Sequence, residues 1–457
     1  MTSRDMKTIC LIISCTFLVH ANFRFCFGQG SASIHNKKNA LSTYVNRPDT
    51  SFKWQNHKQV RTASGTYYEI ELKSQTWQNI PWSHRLIVYI PFDVEYPNTL
   101  LMVLHHIYNR NAGFASLKII SDSTKALSAF LYDVPNQPLF NGKEEDDLQA
   151  YTFSQYIKSG DESWPLLFPM VKSVVRAMDV VQLLTSKENN VSVDNFVIAG
   201  HSKRGHTAWL TAAADPRVKG IIPIAIDVLN AKAQLPHHLE VFGEYSTPSK
   251  DATDFLQELK HPRGNRLIEM VDPYSYKEHL KLPKLIVAAT NDQFFATDAL
   301  NLYWPALEGP KWILYLTNAN HVSAYSDPRV NTAAFLFTRA IAERKVLPDL
   351  ISTYGQDKKV IKLKINADTA ARKACIWIGY AKNKDFRSAK WVSMPMQYVG
   401  INSTVVIDQE KLSKEFSSKI DIPLTGYMAV FGEVEFEQEG HTFFLSTPMN
   451  ITSQKKK

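Results

Sequence analysis

The chain has 457 residues, 44% of them hydrophobic and 21% charged. That composition excludes a disordered or collagen-like chain and is enough for a large core. The formal charge of +8 is spread along the sequence and clusters only at Lys455-Lys456-Lys457, so a nucleic-acid partner is not expected.

At the N-terminus, Arg4 and Lys7 precede an apolar run at 9–19 (ICLIISCTFLV), and Val19-His20-Ala21 offers a small-residue cleavage pattern. Basic start, short apolar core and cleavage site predict a secretory signal over residues 1–21. The run is short for a bilayer span and no other stretch is long enough, so the mature chain is expected to be secreted and without a membrane span. Removal of the signal takes away Cys10 and Cys15 and leaves Cys26 and Cys375. Those two either form one disulfide or, after a later cleavage near Gly28 or Gly30, leave Cys375 alone. Either way the core must hold the fold. Sequons at Asn190, Asn402 and Asn450 are candidate glycan sites.

Residues 22–60 are polar and read as a loose lead-in. Strand patterns at 66–72 (TYYEIEL) and 85–90 (RLIVYI) flank a turn carrying Trp77 and Trp82, and 99–104 (TLLMVL) reads as a strand buried on both faces. A helical pattern around 121–130 is followed by a polar loop at 135–147. A helix at 168–184 and a strand at 196–199 (FVIA) come next, then a helix rich in small residues at 207–214 and a strand at 220–226. Residues 228–280 are polar and irregular and predict a cap or substrate-facing insertion. Strands at 285–289 and 312–316 enclose a helix around 297–307. Alternating strands and helices predict a mostly parallel sheet flanked by helices over 61–348. Beyond 348 strands follow one another without helices, which predicts a small β-sandwich, immunoglobulin-like, over 349–457.

The chemistry centres on Gly200-His201-Ser202-Lys203-Arg204-Gly205, placed between a strand and a helix. In the α/β-hydrolase fold a serine occupies such an elbow, lifted above the sheet, and small neighbours allow the turn to pack. Gly200 stands two residues before Ser202 and Gly205 three after, with Arg204 where a second near glycine is usual. The fold's chain order of serine, acid, histidine points to Asp292 after one late strand and His321 after the last. Asp227 is an alternative acid and Asp298 a third. The backbone N–H of Lys203, with one from the loop at His105 and His106, would form the oxyanion hole, and the Lys203 side chain would add positive charge. Competing bland roles are a helix N-cap for Ser202 and a turn residue for Asp292. No cluster has zinc spacing and no glycine-rich phosphate loop is present, so neither metal nor cofactor is expected.

The stretch 200–230, Trp77-Gln78 through His84, Asn291-Asp292-Gln293-Phe294-Phe295, Tyr303-Trp304 and Asp385-Phe386-Arg387 together resemble the PhoPQ-activated pathogenicity-related protein family from about Tyr67 onward. The resemblance implies an α/β-hydrolase-like fold, and some of the family's eukaryotic members are secreted autocrine proliferation repressors. His105-His106 departs from the glycines favoured for a close oxyanion approach. Two functions follow as expectations. One is a serine esterase acting on a small-molecule or carbohydrate ester through Ser202, His321 and Asp292. The other is a secreted signalling protein that meets a cell-surface receptor and keeps the fold as a scaffold.

Overall fold

The computed structural model describes residues 39–454 except 105–109, 190, 246–249 and 407–408. The expected signal peptide, Cys26, Asn190, His105 and His106 lie outside the described residues. Helix α1 (Ala40–Val45) and strand β1 (Lys53–Arg61) precede the long hairpin of β2 (Gly65–Trp77) and β3 (Ile80–Pro91). Next come β4 (Tyr96–Val103), α2 (Arg110–Thr124), β5 (Ala126–Leu131), α3 (Glu145–Ser159), α4 (Leu167–Asn189) and β6 (Asn195–His201). The chain continues through α5 (Lys203–Ala214), β7 (Val218–Ile224), α6 (Ala231–Phe242), α7 (Lys250–Glu258), α8 (Pro262–Val271), β8 (Lys284–Ala289), β9 (Lys311–Leu316) and α9 (Pro328–Ala342). It ends in strands β10 (Leu350–Gln356), β11 (Val360–Asp368), β12 (Ala371–Ala381), β13 (Val392–Pro395), β14 (Gln397–Val406), β15 (Gln409–Asp421), β16 (Tyr427–Gln438), β17 (His441–Ser446) and β18 (Asn450–Thr452).

The main sheet runs in the order β1-β2-β3-β5-β4-β6-β7-β8-β9. From β5 to β9 its neighbours are parallel, and β1, β2 and β3 join antiparallel. Side chains alternate across a strand, so each central strand feeds two cores. In β6, Phe196 and Ile198 pack with α4 and α5, while Val197 and Ala199 pack on the face shared with α2 and α9. Every residue of β5 and β8 is buried, and in β8 this is why 285–289 reads as an apolar run.

Several expectations change. The segment 121–130 is not one helix: α2 stops at Thr124 and β5 slots between β3 and β4. An apolar run that short suits a buried strand as well as a helix, and sheet pairing decides. Residues 228–280 are largely helical, in α6, α7, α8 and a 3₁₀ turn at Pro273–His279. Their apolar sides face inward, so composition alone made them look irregular. Around 297–307 there are two short 3₁₀ turns, Ala299–Leu302 and Trp304–Ala306, and Pro305 lies in the second. Residues read as lead-in form α1 and the sheet's edge strand β1.

The C-terminal strands continue the main sheet. Ser446 of β17 pairs with Ile313 of β9, and β16, β12 and β13 follow beyond β17. A second antiparallel sheet, β10-β11-β15-β14, faces them. Leu363 and Ile365 of β11 press on Gly432 of β16, where a Cβ would collide with the Ile365 side chain. Only glycine lets the sheets approach this closely at that point.

Candidate active site

The turn from β6 to α5 places Ser202 at φ 55°, ψ −130°, a conformation that costs a serine about 1–3 kcal/mol and persists only under surrounding constraint. The constraint is visible. Ser202 N–H donates to the Ile224 carbonyl at 2.8 Å. A Cβ on Gly200 would sit 2.5 Å from the Arg204 carbonyl, and one on Gly205 would sit 2.7 Å from both Gly200 O and Ile226 Cγ2. Gly200 and Gly205 therefore let β6, α5 and β7 close together, and a glycine at 204 is not needed. Ser202 occupies the N-cap position of α5 but its side chain makes no cap hydrogen bond.

Ser202 Oγ instead lies 3.0 Å from His321 Nε2, and His321 Nδ1 lies 2.8 Å from Asp292 Oδ2. The carboxylate bond requires the proton on Nδ1, so Nε2 is the acceptor for the serine hydroxyl. Asp292 also accepts the Phe294 N–H at 2.8 Å through Oδ1, so its turn role and its bond to histidine coexist. Both Asp292 and His321 are buried, and Phe294 stands edge-on to the His321 ring at 4.8 Å. His201 Nε2–H donates to the His321 carbonyl at 2.7 Å, which ties the base's backbone to the elbow. Burial pushes the His201 pKa down to about 4, which keeps that ring neutral.

The loops carrying acid and base are anchored from the connection between β12 and β13. Asn291 Nδ2 donates to the Ala389 carbonyl at 2.7 Å and to that of Arg387 at 3.1 Å. Asn318 accepts the Trp391 N–H at 2.9 Å and donates to the Trp391 carbonyl at 3.1 Å. Asn291 N–H reaches the Ala319 carbonyl at 3.0 Å, which joins the two loops directly.

The other candidates lie elsewhere. Asp227 is buried and accepts from Tyr303 Oη. Burial, together with the charges of Asp292 and Asp298, pushes its pKa up to about 7 against the pull of that bond. Asp298 binds His237 Nε2 at 2.7 Å. Lys203 sits at the first turn of α5, where its N–H faces the helix's N-terminal end. Its side chain turns away to Glu145 and Asp146, 2.9 Å to each. Arg204 makes a bidentate pair with Glu145, at 2.8 and 2.5 Å, and donates to Val134 O at 2.6 Å. Burial alone would raise the Glu145 pKa, but the bonds from Arg204 and the charge of Lys203 hold it well below the usual range. Sequence reasoning missed this pairing; the acidic run Glu144-Glu145-Asp146-Asp147 was its only trace.

Beside Ser202 and His321 opens a cavity of about 310 Å³, roofed by side chains of α3, α6, α7 and α8. Of the glycan candidates, Asn402 lies in β14 and donates to Glu415 at 2.6 Å and Asn366 at 3.1 Å, and Asn450 opens β18, half-buried. Among the described residues Cys375 has no disulfide partner, and its thiol is pushed up to about 12 by burial and by Glu433.

A parallel sheet flanked by helices, with a serine raised on the strained turn between strand and helix, defines the α/β-hydrolase fold. Within that class the chain belongs to the PhoPQ-activated pathogenicity-related protein family, whose model matches residues 41–387. It is 33% identical over 338 residues to autocrine proliferation repressor protein A of Dictyostelium discoideum, covering 69% of this chain and 68% of that one. Among solved structures it is similar to acetyl xylan esterase 1 of Thermoanaerobacterium sp., with TM-score 0.46 and 12% identity over 66% of this chain and 94% of that one. It is also similar to an S-formylglutathione hydrolase of Agrobacterium tumefaciens, with TM-score 0.42 and 16% identity over 64% and 99% of the two chains.

Proposed function

We propose that this chain is a secreted serine ester hydrolase. The observation that carries the reading is the continuous hydrogen-bonded series from Asp292 through His321 to Ser202, buried at its acid end and open to a cavity at the serine. Ser202 Oγ attacks the ester carbonyl while His321 Nε2 takes its proton, and Asp292 stabilises the imidazolium that forms. His321 returns the proton to the leaving alcohol, and water, activated by the same base, releases the acid. The Lys203 N–H at the start of α5 supports the developing oxyanion, aided by the positive end of the helix. Secretion is supported by residues 1–21, and glycosylation by the sequons.

The test is labelling of the purified protein with a fluorophosphonate probe. Ser202 should label, and Ser202→Ala and His321→Ala should lose labelling. Folded wild-type protein that does not label would sink the hydrolase reading.

A second reading has its own support: the 33% identity to an autocrine proliferation repressor favours a secreted signal that meets a cell-surface receptor. The facing antiparallel sheets of residues 349–457, read as an immunoglobulin-like sandwich, would then supply the contact surface. Activity of a Ser202→Ala protein in a proliferation assay would separate signalling from catalysis.

A further inference from the structure

The walls of the cavity beside Ser202 restrict what an ester can place there. Phe153 of α3 meets Phe255 of α7 with ring centroids 5.5 Å apart. Leu256, Leu259, Leu267 and Val271 are among the further hydrocarbon side chains that line it. The polar side chains on the wall are largely turned to protein partners. Lys203 and Asp146 pair at 2.9 Å, and His206 Nε2–H donates to the Val271 carbonyl at 2.7 Å. Burial pushes the His206 and His238 pKa values down to about 4, so both rings are uncharged at neutral pH. Gln149 and Tyr245 supply further polar contact.

A sugar in this space would bury several hydroxyls against carbon, and each one left unmatched is costly. A hydrocarbon chain gains instead, by roughly fourfold in affinity for each methylene removed from water. We infer that the cavity takes a hydrocarbon tail, so the substrate is a neutral ester carrying a medium-length alkyl or an aryl group on one side of the ester bond. This rests on the ester-hydrolase reading of Ser202, and the same covalent step applies: the serine–acyl bond forms as the ester C–O bond breaks, and the alcohol leaves with the proton from His321.

Two substrate series distinguish the acyl from the alcohol side. One runs from p-nitrophenyl acetate through butyrate and octanoate to hexadecanoate; the other runs through ethyl, butyl and octyl acetate. In one series kcat/KM should climb about fourfold per methylene until the cavity is full, then fall. Flat profiles in both, or a preference for acetylated glucose, would overturn the inference while leaving an ester hydrolase in place. Leu256→Trp should move the chain-length optimum shorter and Phe153→Ala longer, opposed shifts that a general loss of folding does not produce. Binding to the Ser202→Ala protein reads the cavity without turnover: octyl acetate, six methylenes longer than ethyl acetate, should at about fourfold each bind on the order of 10³-fold tighter. That binding with no hydrolysis by wild type would remove the hydrolase reading, and with it the ester substrate, and keep only the assignment of the cavity to a hydrocarbon tail. Equal, weak binding of both would overturn the inference.

Discussion

Ser202 holds positive φ because Gly200 and Gly205 remove the Cβ atoms that would block the elbow. Gly200→Ala should therefore abolish probe labelling and lower the unfolding midpoint, since its Cβ would meet Arg204 backbone that cannot swing aside. Asp292→Asn keeps the shape but loses the charge that fixes the His321 tautomer, and labelling should slow by roughly 10³-fold or more. Asp227 gives a pH signature. Its carboxyl ionises near its usual value in the unfolded chain and at about 7 in the fold. The native state thus holds the proton more tightly, so stability falls as pH rises from about 4 to about 7. Asp227→Asn should remove that slope in urea titrations, and it would gain on wild type as pH rises. A slope unchanged in the variant would assign the proton uptake to another group.

Among the elements, α3 stands out because the elbow itself holds it. Arg204 is buried and its charge is met by Glu145 at the first turn of α3. Breaking such a pair leaves an uncompensated buried cation, and Glu145→Gln should cost about 3 kcal/mol at neutral pH. With the folded pKa depressed, the wild-type advantage is present above the ordinary value of 4.5 and is lost as pH falls below it. The gap between wild type and variant should close on acidification, measured by unfolding at pH 7 and pH 3. The loops after β8 and β9 depend in the same way on residues 386–391. Asn318→Ala removes two hydrogen bonds to Trp391, worth about 2 kcal/mol together. Labelling of Ser202 should slow while the serine and histidine side chains stay intact.

At the scale of the molecule, one sheet runs from β1 through the parallel core into β17, β16, β12 and β13. Tyr315 of β9 packs on Phe431 of β16 with ring centroids 4.8 Å apart, and both cores contain residues from before and after position 348. Surface removed from water on both sides of such a junction couples their folding. Calorimetry of residues 39–457 should show one cooperative transition, with van't Hoff and calorimetric enthalpies equal. Two resolved transitions would restore independent units.

Local signals carried much of this in advance. Apolar runs flanked by turns located most of the central strands, the glycines around Ser202 marked the elbow, and chain order pointed to His321 and to Asp292, with Asp227 and Asp298 left as alternative acids, because the fold allows few places for acid and base. What the sequence could not specify depended on distant partners. Strand β5 looked helical until its neighbours on the sheet bonded it. The cap looked irregular because its helices bury only one side. Asp227 and Asp292 both closely follow strands, and only the tertiary arrangement sends one to Tyr303 and the other to His321. The cations after the serine could have faced the oxyanion until α3 brought Glu145 and Asp146 to meet them. Periodicity and glycine placement act over a few residues and are written locally, whereas pairing, desolvation and ion partnership are set by groups far apart in the chain, which only the folded packing brings together.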